Sequence, residues 1–195
     1  MKFLSLNCRG LESPHKKSAL KRLINTQQMN IILLQETMEN SSSISYTLYS
    51  LLPAWIFMGL DVAGRSGGLA TGWRTKSIKL LNSWGLNSYL GIHIFLEGLA
   101  KEFRIHNFYG PYLDKTCFWE TLLSLKILKV ENLILGGDLN FSLGEAEVWG
   151  PSTRLDQLTT RITHLLSTNG LLDITRRKLN PTWRNMHTGE ARVAK

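Results

Sequence analysis

The stretch Leu133-Ile134-Leu135-Gly136-Gly137-Asp138-Leu139-Asn140 places a carboxylate and a carboxamide two residues apart behind a short apolar run and two glycines. The apolar run predicts a buried strand, and the glycines predict a sharp turn at its end. If extended geometry persists through Leu139, Asp138 and Asn140 share a face. A carboxylate beside an amide at a strand's C-terminal end suits holding a water, a metal or a phosphate oxygen. An Asp-Leu-Asn turn that satisfies only its own backbone is the alternative. Polar residues of similar type close three other predicted strands: Asn7, Glu36 and Tyr109. Parallel neighbours in an α/β sheet deliver their C-terminal ends to one edge, so two carboxylates, two amides and a phenol would converge without a histidine. That donor set suits a hard cation such as Mg2+ and an anionic substrate, not a zinc site or a Ser-His-Asp triad. Singly, Asn7 reads equally as a turn residue, Glu36 as a solvated carboxylate and Tyr109 as packing at a turn. Their shared placement at strand ends argues for a site.

The elements that must position these residues follow from periodicity. Lys2–Asn7 alternates as a strand. Ser13-Pro14 predicts a helix start, serine as cap and proline at the first helical position, running to about Gln28. Its inner face carries Ala19, Leu20, Leu23 and Ile24. Ile31–Leu34 is a continuous apolar strand, and this β–α–β order predicts parallel pairing of the first two strands. A short helix is expected to end at Leu52. Residues 55–60, 67–73, 76–83, 88–96 and 102–109 predict a mostly antiparallel meander punctuated by glycines. A helix near 114–126 follows, with Asp114 as cap. Thr153-x-x-Asp156 resembles a capping box ahead of a helix bearing Leu155, Leu158, Ile162, Leu165 and Leu166, stopped by Asn169-Gly170. Leu171–Ile174 predicts the start of another strand. The Gly64–Gly72 stretch lacks Gly-Lys-Ser/Thr and precedes no helix, which excludes a nucleotide-binding loop.

The 195 residues, 43% hydrophobic and 19% charged, fit one domain spanning 1–195. No segment approaches a membrane span, and the N-terminus turns polar too soon for a secretory signal. Cys8 and Cys117 have no metal-ligand spacing, so free thiols in an intracellular setting, nucleus or cytoplasm, are expected. Net charge is +8, and from Pro151 onward eight Lys/Arg face three acids, so most of the excess lies in the last quarter. Such a balance favours a polyanionic partner, nucleic acid foremost.

Taken together, Asn-Cys-Arg-Gly at 7–10, Gln-Glu-Thr at 35–37, Asn-Phe-Tyr-Gly-Pro at 107–111 and Gly-Gly-Asp-Leu-Asn at 136–140 resemble the ordered motifs of the endonuclease/exonuclease/phosphatase superfamily. The resemblance is greatest to the apurinic-type endonuclease domain of plant non-LTR (LINE-type) retrotransposons. Ser-Gly-Gly-Leu-Ala-Thr-Gly-Trp at 66–73 and Asn-Pro-Thr-Trp-Arg-Asn at 180–185 are similar to segments of that subgroup too. The resemblance implies an α/β fold of the DNase-I-like type, a four-layer α/β/β/α sandwich, and Mg2+-dependent (or Mn2+-dependent) phosphodiester cleavage. It further implies Glu36 as metal ligand, Asp138 positioning or deprotonating the attacking water, and Asn7 and Asn140 orienting water, metal shell and phosphate. Tyr109 would hydrogen-bond a phosphate oxygen, and Arg9, Thr182 and Trp183 would lie against nucleic acid. The implied partners are DNA and, in the parent polyprotein, a reverse transcriptase domain in cis, with the domain itself a monomer. Arg9 and Tyr112 stand where the related abasic-site repair enzymes carry aspartate and asparagine, which argues against dedicated repair.

The family pattern continues with an Arg-Leu/Ile-Asp strand and a Ser-Asp-His-x-Pro strand, and this sequence stops short of both. The expectation is therefore a truncated nuclease lacking its last strands, with little or no turnover. Two other expectations stand beside it: a catalytically inactive basic remnant that binds nucleic acid, and a phosphatase-type member of the same superfamily.

Overall fold

Strand, helix, strand opens the chain: Phe3–Asn7 (β1), Pro14–Gln27 (α1) and Ile31–Gln35 (β2). The computed structural model describes residues 1–61, 67–86, 88–111, 114–124, 126–150, 157–174 and 184. Helix α1 begins as its sequence predicts, with Pro14 in the first turn and Ser13 extended before it, though Ser13 makes no side-chain cap bond. It ends where Gln28 turns left-handed at φ 53°. Ser41–Leu51 (α2) starts under a true cap, the Asn40 side chain accepting from Ser43 N. The remaining elements are Trp55–Leu60 (β3), Leu69–Arg74 (β4), Ile78–Leu86 (β5), Tyr89–Leu96 (β6), Lys101–Tyr109 (β7), Lys115–Ser124 (α3), Leu133–Asp138 (β8) and Thr159–Thr168 (α4).

The strands form two four-stranded sheets, ordered β1-β2-β4-β3 and β5-β6-β7-β8. β1 pairs parallel with β2, and β7 parallel with β8. The intervening pairs are antiparallel, as the meander pattern predicts. Period-2 alternation sorts each strand into two faces. Ile31, Leu33 and Trp73 of the first sheet meet Ile78, Ile92, Ile94 and Ile105 of the second in one core. On the other face of the first sheet, Ile32, Leu34 and Ala70 pack against Leu20 and Ile24 of α1 and Ile44 and Leu48 of α2. Beyond the second sheet, Phe118 of α3 meets the Phe108 ring edge-on at 6.3 Å. Helices, sheet, sheet, helix is the order expected for a DNase-I-like fold.

A polar contact sits inside this apolar interface. Asn107 of β7 is fully buried, and its Nδ2 donates to Leu34 O at 3.1 Å, Ala70 O at 3.1 Å and Thr71 Oγ1 at 3.4 Å. Its Oδ1 accepts from Gln35 Nε2 at 2.7 Å. One amide thus reaches from the second sheet into two strands of the first. Leaving a buried amide unpaired costs about 1–3 kcal/mol, so the two sheets slide only by giving up this set.

Two compact units divide the chain, Met1–Leu139 and Asn140–Lys195, and all eight strands among the described residues belong to the first. Within the second, Thr159 Oγ1 at the start of α4 donates to Ser142 O at 2.9 Å, and Ile162 is buried. Asn169 and Gly170, the latter at φ 69°, end α4 as predicted. Three expectations need correction. Ala19 and Leu23, expected on the inner face of α1, are exposed, because the buried stripe is only Leu20 and Ile24 wide. Leu171–Ile174 forms no strand, and Leu172 and Ile174 are each 90% exposed, so among the described residues nothing offers the pairing partner that an apolar run requires. The two glycines before Asp138 do not form a turn; β8 runs straight through them. The Thr153–Asp156 box lies outside the described residues.

On the outer face of β7, His106 is 1% exposed, and neither ring nitrogen has a hydrogen-bond partner. Trp84, Tyr89 and Phe108 surround it, with ring centroids at 5.5, 5.6 and 5.8 Å. Burial, with Arg104 adding to it, lowers its pKa from 6.5 to about 4. Between those values the unfolded chain binds the proton and the folded chain does not, so stability is lost as pH falls through that window. The shift corresponds to about 3 kcal/mol. Urea denaturation at pH 7.5 and 4.5 is expected to register a loss of that order, and His106→Phe to remove most of the difference. An unchanged difference in the variant places the acid sensitivity elsewhere.

Candidate active site

Strand alternation brings three of the predicted residues to one place. Phe3 packs into the inter-sheet core, so Asn7, four residues on, points the same way. Ile105 and Asn107 do so ahead of Tyr109, and Ile134 ahead of Asp138. Asn7 lies beside Gln35 in the β1–β2 register, and Tyr109 beside Asp138 in the β7–β8 register. The expected convergence therefore occurs, but from two parallel pairs in facing sheets rather than along one sheet edge. Periodicity reports which way a strand faces, not which sheet it joins.

Glu36 reaches the cluster by breaking the alternation. Gln35 points into the inter-sheet space, so an extended Glu36 would face the helices. Instead Glu36 adopts φ 50°, a left-handed conformation that costs a non-glycine residue on the order of 1 kcal/mol. The turn is held by its neighbours: Gly10 N donates to Glu36 O at 2.7 Å, Leu11 N to Thr37 O at 3.2 Å, and Thr37 N to Gly68 O at 3.1 Å. The Glu36 side chain, 7% exposed, then lies among the others.

Asn7 is the hub. Its Nδ2 donates to Glu36 Oε1 and to Asp138 Oδ2, each at 2.8 Å. Tyr109 OH donates to the same Glu36 Oε1 at 2.9 Å. Asn7 Oδ1 accepts from Arg9 N at 3.1 Å, which fixes which end of the amide faces the carboxylates. Both bonds to Glu36 fall on Oε1, and among the described residues Oε2 receives none. The glycines of β8 make the approach possible. A Cβ on Gly136 would stand 2.5 Å from Leu33 Cδ1. One on Gly137, at φ 137°, would stand 2.1 Å from Phe108 O.

The other predicted residues are placed differently. Asn140 opens the second unit at φ 54°, so extended geometry ends at Asp138 and the expected shared face does not form by strand alternation. Arg9 is exposed at φ 48° and contributes its backbone N–H. Thr182 and Trp183 lie outside the described residues. Sequence reasoning missed Gln35 and Asn107, although Asn107 stands two residues before Tyr109 and so shares its face. It also missed Lys16, whose Nζ donates to Cys8 O, Arg9 O and Gly10 O at 3.3, 2.6 and 3.0 Å. The neighbouring Cys8 thiol is pushed up to about 12 by burial, partly opposed by Lys16 and reinforced by Glu36, so it stays neutral and is no nucleophile.

The donor set fits a hard cation. Two carboxylates converge on the Asn7 amide, and among the described residues no group of three or more His, Cys, Asp and Glu side chains gathers that could hold a metal ion by itself. Mg2+ is commonly held by one or two carboxylates with waters completing its shell. Glu36 Oε2 offers one such oxygen.

The endonuclease/exonuclease/phosphatase family matches residues 4–192, and this chain belongs to that family. No curated protein matches the chain in sequence. Among solved structures, the endonuclease domain of TRAS1, a telomere-specific non-LTR retrotransposon, is similar with a TM-score of 0.67 at 14% identity, covering 98% of this chain and 83% of that one. A mannosyl-6-phosphatase of Bacteroides thetaiotaomicron matches with a TM-score of 0.56 at 15% identity, covering 71% of this chain. An AP endonuclease of Leishmania major matches with a TM-score of 0.58 at 15% identity, covering 75% of this chain. The chain spans 65% of the phosphatase's length and 57% of the AP endonuclease's. These likenesses establish the DNase-I-like fold. They include both nucleases and a phosphatase.

The hub role of Asn7 has a direct consequence. Asn7→Asp replaces a donor shared by two carboxylates with a third negative charge. The variant is expected to lose about 2–4 kcal/mol of stability in chelator, since hydrogen bonds to charged groups contribute about 1.5–3 kcal/mol each. Millimolar Mg2+ should restore part of that loss. Urea denaturation with EDTA and with Mg2+ measures both, and equal stability of variant and parent in EDTA contradicts the bridge.

Proposed function

We propose that this chain is a DNA-nicking endonuclease domain of a non-LTR retrotransposon, of the plant LINE type, hydrolysing a phosphodiester with Mg2+ or Mn2+. The observation that carries this reading is the Asn7 amide spanning Glu36 and Asp138 at 2.8 Å each, with the Tyr109 phenol on the same Glu36 oxygen. Glu36 would hold the cation, which when bound neutralises charge at the phosphate. Asp138 orients the attacking water and accepts its proton. Tyr109 turns its O–H to a phosphate oxygen as charge develops there. Asn7 keeps the two carboxylates at a fixed separation and orients the water between them. In this reading Asn140 would help orient the water and the phosphate, and Arg9, Thr182 and Trp183 would contact nucleic acid.

Two features support DNA over a small phosphate ester. The net charge is +8. The retrotransposon endonuclease aligns over 98% of this chain, against 71% for the sugar phosphatase. In the parent polyprotein the nick would supply a 3′-hydroxyl to a reverse transcriptase domain in cis, with the endonuclease acting as a monomer.

Relaxation of supercoiled plasmid in Mg2+ is the test. Glu36→Gln and Asp138→Ala are each expected to reduce nicking on the order of 10³-fold or more. Hydrolysis of a sugar phosphate monoester without nicking favours the phosphatase-type reading. Salt-dependent DNA binding with neither activity favours a binding remnant.

A further inference from the structure

We infer that Lys16 is a positioning residue for this site: its ammonium holds the Cys8–Gly10 turn so that the Asn7 amide presents its NH2, not its carbonyl, to Glu36 and Asp138. The inference rests on the proposed hydrolytic role of the Asn7 cluster but stands on separate contacts.

Lys16 lies in the first turn of α1, two residues after Pro14. An ammonium group has three donors, and here all three find carbonyls: Cys8 O, Arg9 O and Gly10 O, at 3.3, 2.6 and 3.0 Å. Three successive carbonyls turned to one point define a tight turn, which only a compact multiple donor can close. Lys16 has no carboxylate partner among the described residues, whereas its neighbour Lys17 stands 4.0 Å from Glu39. Its charge is therefore committed to the turn.

The turn needs holding because Arg9 sits at φ 48°, a conformation that disfavours a long side chain. Arg9 N–H belongs to the Cys8–Arg9 peptide, whose carbonyl Lys16 holds at 3.3 Å, so that contact fixes the plane from which the N–H reaches Asn7 Oδ1 at 3.1 Å, and that bond sets the sense of the amide. A carboxamide is nearly symmetric in shape, so rotation by half a turn is sterically cheap. The flipped form would aim Oδ1 at two carboxylates, and both 2.8 Å bonds would become repulsions. Lys16 thus acts through Arg9 on Asn7 without touching the reacting atoms.

The experiment compares Lys16→Met with Lys21→Met in the full chain. Both remove one charge from α1, but Lys21 is exposed on a later turn and makes no hydrogen bond to the 8–10 turn. The expected result for Lys16→Met is a kcat for plasmid nicking reduced at least tenfold, with KM for DNA changed no more than in Lys21→Met. An equal rise in KM alone for both variants would mean that Lys16 serves general electrostatics, and overturns the inference. A second readout needs no activity. In ¹⁵N spectra the Lys16 ammonium should give a slowly exchanging signal, and the Asn7 side-chain NH2 should shift and lose exchange protection in Lys16→Met but not in Lys21→Met. An unaltered Asn7 signal in Lys16→Met also overturns the inference. If the parent chain does not nick DNA while the spectra behave as expected, the proposed function fails and the role of Lys16 stands.

Discussion

The buried amide pair Gln35–Asn107 is the constraint on which the site depends. Two sheets packed mainly through isoleucine and leucine side chains, with Trp73 among them, gain little direction from those contacts, because apolar contacts are non-directional. Asn107 supplies direction. Its bonds to Leu34 O, Ala70 O and Gln35 Nε2 fix β7 over β2 and β4. Gln35 immediately precedes Glu36, and Asn107 lies two residues before Tyr109. The pair therefore sets the 2.9 Å separation of phenol and carboxylate one step further along both strands. A slip of the kind apolar packing tolerates would separate them.

Above that anchor, the cluster combines regular and irregular geometry. Asn7, Tyr109 and Asp138 arrive by ordinary alternation on β1, β7 and β8. Glu36 arrives by leaving it, in a left-handed turn tied to Gly10, Leu11 and Gly68. The same conformation recurs at Arg9, and both turns follow parallel strands of one sheet. Backbone strain at strand ends, held by a hydrogen-bonded ladder between loops, is how polar side chains gather where the core pattern would otherwise turn them away. The glycines of β8 serve the same end by removing Cβ atoms from the path of Leu33 and of the β7 backbone.

Much of this was legible in the sequence, for physical reasons that differ by element. The β–α–β order fixed the parallel pairing of β1 and β2, and Ser13-Pro14 and Asn169-Gly170 marked helix boundaries whose chemistry is local. Asn7, Tyr109 and Asp138 could be placed because strand alternation carries from residue to residue. Four things were not legible in the local pattern. Division into two sheets depends on long-range pairing that period-2 patterns do not encode, and it was implied only by the family resemblance. The Gly136-Gly137 pair read as a turn, since local propensity favours one, whereas close packing against β7 requires glycine within a strand. Leu171–Ile174 read as a strand from its apolar residues, but a strand exists only where a partner pairs with it. The carriers of orientation, Lys16, Gln35 and Asn107, were missed because their roles lie in contacts between distant segments.

The central claim is that Asn7, Glu36, Tyr109 and Asp138 form one hard-cation site. Paramagnetic broadening by Mn2+ tests it without relying on turnover. Substoichiometric Mn2+ added to the ¹⁵N-labelled protein should broaden Glu36, Asp138 and the Asn7 side-chain amide before any other signal, and excess Mg2+ should reverse the effect by competition. Broadening centred instead on the His93–Glu102 pair, 2.8 Å apart on β6 and β7, or spread over the surface acids, would contradict the account.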